Sequence, residues 1–175
     1  LSDYPIVLSL IILFLGLILA AAARKFILFW GLKITARTKT DLDEKLFQIV
    51  ARVVAIVVGY IALVAAVQLL SLGETAERVA IRLMMSVLIL QLIRAAMQAG
   101  NVGLAILGRV RHRYSIIEER TIPLFDLILT VIIVAIGAYA LLQVWNIDPT
   151  AWLASAGVIG IAVGFAARDT LANLF

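Results

Sequence analysis

Few side chains in this sequence could carry out catalysis or hold a metal ion. His112 is the only histidine and cysteine is absent, so a single chain cannot assemble a histidine-based triad or a thiolate metal site. Asp41, Asp43 and Glu44 lack metal-ligand spacing and form an acidic cluster, which the helix dipole favours at a helix N-terminus. We therefore expect neither an enzyme nor a protein that needs a metal or another cofactor.

The glycine-rich segment GVIGIAVG is superficially similar to a phosphate-binding loop. A nucleotide site is rejected because the segment follows no strand, contains no lysine and lies within an apolar run. On a helix, Gly157, Gly160 and Gly164 form one narrow stripe. Ala162 and Ala166 lie approximately opposite this stripe. Small residues let backbones approach closely. The glycine stripe of one helix could therefore pack against the alanine stripe of an identical neighbour, and repetition of this contact would close a ring around a pore.

Two further faces of this helix lie between the small-residue stripes. One of them must face the pore and the other the surrounding helices. Small-residue stripes also serve ordinary helix packing, so a secondary transporter and a structural membrane anchor remain as alternative functions. The first face carries Val158, Ile161 and Phe165, and the second carries Ala156, Ile159, Val163 and Ala167.

Composition places this helix in a membrane protein. Of the 175 residues, 64% are hydrophobic, more than a soluble domain of this length could bury. The sequence predicts an all-α, multi-pass protein with about five spans, in which a pore-lining helix at 150–175 follows outer helices within 1–145. Asp148, Pro149 and Thr150 are expected to form the turn and N-terminal cap before the pore-lining helix. The outer spans are expected at about 4–30, 46–70, 79–107 and 122–145.

Basic residues are concentrated in two of the connections between the predicted spans. Cytoplasmic connections are enriched in lysine and arginine, so this distribution predicts an N-terminus outside the cell and a C-terminus inside. Topology also explains the net charge of +4, and we expect membrane lipids rather than nucleic acid as partners. The first connection carries Arg24, Lys25, Lys33, Arg37, Lys39 and Lys45, and the second carries Arg109, Arg111, His112, Arg113 and Arg120.

Four charged residues fall within or near the apolar spans: Arg52, Arg82, Arg94 and Asp126. Long arginine side chains can reach the membrane interface while their stems stay in the apolar region, so anchoring to lipid phosphates is one interpretation. The other interpretation is an ion pair between helices, in which Asp126 pairs with Arg94 or Arg52 and holds the helices in register.

The end of the chain resembles a known family. GIAVGFAARDTLANLF, with the preceding AGVI, is similar to the pore-lining third helix of the small-conductance mechanosensitive ion channels, and TKTDLDEKLFQIVARVV resembles the charged start of a family helix. The resemblance implies that Ile161 and Phe165 face the pore axis as two apolar constriction rings, because each follows a glycine as the pore-narrowing residues of the family do. It also implies that Arg168 and Asp169 lie at the inner mouth of the pore.

The same resemblance implies how the protein assembles and works. Family members are typically homoheptamers, gated by membrane tension, that release ions and small osmolytes on hypoosmotic stress. The bacterial inner membrane is the expected location. The family's β-rich cytoplasmic domain is expected to follow the pore helix, beyond Phe175. The family's pore helix bends after the constriction, commonly at a glycine. Asp169 stands at that position here, which departs from the family's pattern, and the bend could instead fall within 170–173.

Overall fold

The computed structural model describes residues 4–35, 41–70, 72–110 and 122–172. Within these ranges all regular secondary structure is α-helical and no strand is present. Five helices are long and apolar enough to cross a membrane, which confirms the predicted all-α architecture with five spans. They are α1 (Pro5–Thr35), α2 (Asp41–Leu69), α3 (Glu74–Val110), α4 (Ile122–Val144) and α5 (Thr150–Ala172).

Helices α1 and α3 are longer than a membrane span requires. They contain 31 and 37 residues, or about 46 Å and about 55 Å of helix, whereas the hydrocarbon layer is about 30 Å thick. Both helices must therefore tilt or extend into the polar layer. Helix α3 begins before the span expected at 79–107, because Glu74 and Glu77 in its first turn are favoured by the helix dipole.

Helices α1 and α2 pack along each other as an antiparallel pair. A Cβ atom on Gly16 would overlap the Cβ of Ala62, and one on Gly31 would lie 2.7 Å from Cγ of Phe47. The step from Gly16 to Gly31 is matched by an equal step back from Ala62 to Phe47, so the register is constant along the interface. Glycine is needed at both positions because the neighbouring helix occupies the space of a side chain.

Helices α3 and α4 use glycine in the same manner. A Cβ atom on Gly100 would lie 2.5 Å from Cδ2 of Leu129, and one on Gly137 would overlap the side chain of Ile93. The reversed order of the partners makes this pair antiparallel as well. Because α2 also packs on α3, the first four helices form one continuous stack in sequence order.

Two side-chain hydrogen bonds join α2 to α3. Arg52 donates from Nη1 to Oε1 of Gln98 at 3.1 Å, and the Tyr60 hydroxyl donates to the sulfur of Met85 at 3.2 Å. They lie far apart along both helices, so they hold α2 and α3 in register at two separate levels.

The most buried residues of the stack are small. Since lipid is as apolar as a protein interior, membrane helices associate through close approach of their backbones rather than through burial of large apolar side chains. Large apolar side chains such as Phe14 and Phe29 are exposed on the outside of the stack. The buried side chains are Ser9, Ala20, Ala51, Ala62, Ala66 and Ala95.

The expected ion pair between Asp126 and Arg94 or Arg52 is not formed. The Gly100–Leu129 contact sets a register in which Arg94 lies about nine residues, or about 14 Å, from the level of Asp126. Arg52 belongs to α2, which has no contact with α4 in the described structure. The side chains of Arg94 and Asp126 make no hydrogen bond or ion pair with a described residue. Anchoring to lipid phosphates remains the interpretation for Arg94.

The ion pair that does form within the described residues joins Arg78 to Glu74 at 3.5 Å, near the start of α3. Both side chains are largely exposed, so a pair of this kind contributes only about 0.3–0.5 kcal/mol. Arg82 follows one turn later and is half-buried. Its carbonyl oxygen accepts a hydrogen bond from the Ser86 hydroxyl at 2.9 Å.

The close contact at Gly16 predicts that even the methyl side chain of alanine would destabilise the protein. We expect Gly16→Ala to destabilise the protein by about 1–3 kcal/mol through overpacking against Ala62. Gly103→Ala is the matched control, because a Cβ atom there has no neighbour within 4 Å. The measurement is the temperature at which half of the detergent-solubilised protein is lost from its monodisperse chromatographic peak. Equal midpoints for the two variants would show that the α1–α2 contact is not tight.

Candidate pore helix

The turn between α4 and α5 ends α4 with a left-handed residue. Asn146 has φ of 54°, a region that asparagine tolerates better than most residues. Its N–H donates to the carbonyl of Gln143 at 3.1 Å, and the N–H of Ile147 donates to the carbonyl of Leu142 at 2.9 Å. This pair of bonds is a Schellman motif, which satisfies carbonyl groups that the end of a helix leaves open.

Asp148 then caps the start of α5. Its Oδ1 accepts hydrogen bonds from the backbone N–H of Thr150 at 3.0 Å and from the Thr150 hydroxyl. These two bonds, the hydroxyl bond first, lower the pKa of Asp148 because both favour the ionised carboxylate. Pro149 directly precedes the helix, and its carbonyl accepts a hydrogen bond from the N–H of Leu153 at 2.8 Å. The predicted cap and turn are confirmed.

The turn is tied to the stack by one side-chain contact. Trp145 donates from Nε1 to the hydroxyl of Ser86 in α3 at 3.1 Å. The indole is partly exposed, so its ring reaches the interface while its N–H is satisfied within the protein. This bond positions the end of α4, and with it the point from which α5 departs.

Helix α5 has no partner among the described helices. Contacts join α1 to α2, α2 to α3 and α3 to α4, but no described element packs on α5. Ile161 is 63% exposed and Phe165 71% exposed, and Ala162 and Ala166 are also exposed. The proposed constriction residues and the alanine stripe therefore lie on a free helix surface, and one chain brings neither set into contact with another element.

The glycine stripe of α5 is equally open. A Cβ atom on Gly157, Gly160 or Gly164 would have no neighbour within 4 Å, which is also the case at Gly59 and Gly103. Sequence patterns drew attention to the α5 glycines and missed the four that pack within the chain. An isolated glycine inside an apolar helix was the available signal for those four. The glycines that pack are Gly16, Gly31, Gly100 and Gly137.

The charged pair at the end of α5 does not interrupt the helix. The backbone stays helical through Arg168 and Asp169 as far as Ala172, and residue 173 lies outside the described ranges. Arg168 is exposed. Earlier in the helix, the Ser155 hydroxyl donates to the carbonyl of Ala151 at 2.9 Å, which satisfies it inside its own helix.

Among the described residues no group of three or more His, Asp or Glu side chains could hold a metal ion. His112 and the basic residues between 111 and 120 lie outside the described ranges, as do Arg37 and Lys39. The features that distinguish the candidate site are therefore shape and polarity: an apolar helix with small residues on opposite faces and charge at one end.

Residues 128–168 match the family model for "Mechanosensitive ion channel, transmembrane helices 2/3". The match begins in α4 and ends at Arg168 in α5, and it covers less than a quarter of the chain. It confirms the resemblance seen in the sequence of the pore helix. The similar segment at 38–54 lies outside the matched residues. No curated protein and no solved structure matches the chain.

The cap at Asp148 predicts a change confined to the first turn of α5. Asp148→Ala removes the acceptor, so we expect faster hydrogen–deuterium exchange at the Thr150 amide, whereas Asp148→Asn keeps an acceptor and most of the protection. Because the pKa of Asp148 is lowered on folding, the contribution of the cap is complete above the unfolded pKa and is lost as the pH falls through the lowered value. Unchanged protection factors in Asp148→Ala would contradict the cap.

Proposed function

We propose that the chain forms a tension-gated channel whose pore is lined by α5, because residues 128–168 match the family model for transmembrane helices 2/3 of mechanosensitive ion channels. In this proposal the channel releases ions and small osmolytes on hypoosmotic stress from a cell bounded by a bacterial inner membrane. Residues 1–145 form the outer helices, and the helix at 150–175 lines the pore.

The observation that carries the proposal is the isolation of α5. Helices in lipid associate through small residues that let backbones approach, and α1 to α4 already satisfy one another in this way. Helix α5 lies in the matched segment and presents small residues on two opposite faces with nothing packed on either. A second copy of α5 can fill each face, and the repeated contact closes a ring. This supports a homo-oligomer, for which the family resemblance suggests seven subunits.

Within such a ring, Ile161 and Phe165 form the constriction. They are four residues apart, so they lie on the same face of α5, between the glycine and alanine stripes. Both are more than half exposed within one chain, so a ring of subunits would place them around a narrow passage. A narrow apolar passage excludes water and therefore ions without a physical plug.

Membrane tension would open this passage through a difference in area. Tension favours whichever state occupies more membrane area, and a force shifts a population only to the extent that the two states differ. The four-helix stack presents its large side chains to the lipid, whereas α5 is joined to it through the turn at 145–149. Movement of the stack with the lipid would draw α5 helices apart along their smooth glycine–alanine contacts.

Charges at the end of α5 would lie at the inner mouth. The distribution of basic residues supports a cytoplasmic C-terminus, which puts Arg168 and Asp169 on the cytoplasmic side of the constriction. Successive residues point in different directions on a helix, so one of them faces the permeating ions and biases the choice of ion. The other is available for a pair with a neighbouring subunit.

Cysteine substitutions can test the ring directly, because the natural chain contains no cysteine. Gly160→Cys with Ala162→Cys puts one thiol on each stripe at nearly the same level, so oxidation should produce a ladder of crosslinked species that stops at the size of the complete ring. The matched control is Ile159→Cys with Val163→Cys, both on the face assigned to the outer helices. A ladder that stops at two subunits, or none at all, would favour a transporter or a membrane anchor.

Patch recording under suction tests the function and the gate. The full-length protein should give tension-activated current in cells that lack other such channels. Phe165→Ser should open at lower tension, because burial of a phenylalanine is worth about 1.5–3 kcal/mol and each subunit of the closed state loses it. Ile159→Ser, on the opposite face, should keep a near-normal threshold. Absence of tension-activated current would refute the proposed function, and a normal threshold in Phe165→Ser would refute only the gate assignment.

A further inference from the structure

A polar cavity of about 360 Å³ lies between α1 and α2, outside the matched segment. Its charged lining side chains are Arg24 from α1 and Glu44 and Arg52 from α2, and Leu28 and Phe47 contribute apolar surface. The cavity thus combines two guanidinium groups with one carboxylate. None of these residues is used by the pore assignment.

An apolar cavity of about 490 Å³ lies along α1, α2 and α3. Its lining includes Leu17 and Ile56. Leu17 precedes Arg24 by two turns of α1, and Ile56 follows Arg52 by one turn of α2, so both cavities lie on the same faces of these helices. The two cavities are therefore aligned along α1 and α2, and we call them together the α1–α3 groove, which is charged at one end and apolar along the rest.

The charged end of the groove lies at the depth of a membrane interface. Arg24 is about 28 Å along α1 from Pro5, and Arg52 is about 26 Å along α2 from Leu69, at 1.5 Å per residue. These distances are close to the hydrocarbon thickness of about 30 Å. With Pro5 and Leu69 at one membrane surface, both arginines reach the opposite boundary, where lipid phosphates begin, and the apolar part of the groove lies at the depth of the hydrocarbon.

The charged side chains that line the groove make few hydrogen bonds with the described residues, so they can bind a ligand. The Arg24 side chain has no hydrogen bond or ion pair with a described residue. Arg52 is oriented by one bond to Gln98, and the rest of its five N–H donors have no partner among the described residues. Oε1 of Glu44 accepts a bond from Gln48 at 3.2 Å, and its carboxylate retains further acceptor capacity.

The positions of the charged residues along α2 also match the order of charges in a phospholipid headgroup. Glu44 precedes Arg52 by about 12 Å along α2, on the side away from the apolar cavity. The guanidinium groups therefore lie next to the hydrocarbon and the carboxylate lies toward water. A phospholipid whose headgroup carries a phosphate and a primary ammonium has the complementary charges, with the phosphate next to the acyl chains.

We propose that the α1–α3 groove binds one such phospholipid, with its phosphate between Arg24 and Arg52, its ammonium on Glu44 and an acyl chain along the apolar cavity. Guanidinium groups suit the phosphate because they donate paired, charge-assisted hydrogen bonds. The groove is independent of the pore assignment, so loss of tension-activated current would leave this site unaffected.

Lipid binding to the detergent-solubilised full chain can be measured by native mass spectrometry with phosphatidylethanolamine, phosphatidylcholine and phosphatidylglycerol. We expect Arg24→Gln and Arg52→Gln each to weaken phosphatidylethanolamine binding about tenfold, as loss of a charge-assisted hydrogen bond implies. Lys25→Gln is the matched control, because it removes the same charge at the same depth but does not line the groove. Glu44→Gln should abolish the preference for phosphatidylethanolamine over the other two lipids.

A second pair of variants tests the apolar end. Gly59 lines the groove and has no neighbour within 4 Å of a Cβ atom, so Gly59→Leu adds a side chain to the groove and should weaken lipid binding about tenfold. Gly103→Leu is the control, since Gly103 is equally open but lies outside the groove. Free phosphoethanolamine, which lacks acyl chains, should compete poorly.

Three results would overturn the proposal. The first is a loss in Lys25→Gln as large as in the arginine variants, which would indicate attraction by charge alone. The second is Gly59→Leu binding lipid as well as Gly103→Leu does. The third is free phosphoethanolamine binding as tightly as the lipid, which would make the cavity a site for a soluble phosphate compound.

Discussion

Helices in a bilayer gain nothing by hiding apolar side chains from an equally apolar solvent, so they must associate by bringing their backbones close together. This constraint accounts for the stack of the first four helices. Glycines such as Gly16 and Gly137 lie where a neighbouring side chain would otherwise collide, and the buried side chains are alanine and one serine. The large side chains face outward because lipid accepts them at no cost.

Helix α5 carries the same kind of residues but leaves them unused within the chain. Its start is well determined, since the Schellman turn at Asn146 and the cap at Asp148 act over a few residues. Its packing is not determined by those contacts. The glycines of α5 face open space in the segment that matches the mechanosensitive channel family. The described structure thus separates a stack of four helices that pack on one another from a fifth helix with no described partner.

A second constraint acts on the charged side chains, which is their depth in the membrane. Arginine is tolerated in a span when its guanidinium can reach the interface or a polar partner. Arg52 has a polar partner, since it bonds to Gln98, and it also lines a polar cavity. Asp126 and Arg94 were expected to pair, but the register of α3 and α4 keeps them at different levels. Depth could be estimated along each helix, whereas pairing depended on the contact between helices.

Local information in the sequence was enough to predict five apolar helices, the cap at Asp148 and the resemblance of the pore helix, because hydrophobic runs and capping bonds act over a few residues. The tertiary structure alone decided that Gly16 and Gly100 pack, that Arg52 pairs with Gln98, and that α5 remains helical through Asp169. Partner choice depends on the register between helices. Spacing within one helix carries no information about that register, so these contacts could not be read from the chain alone.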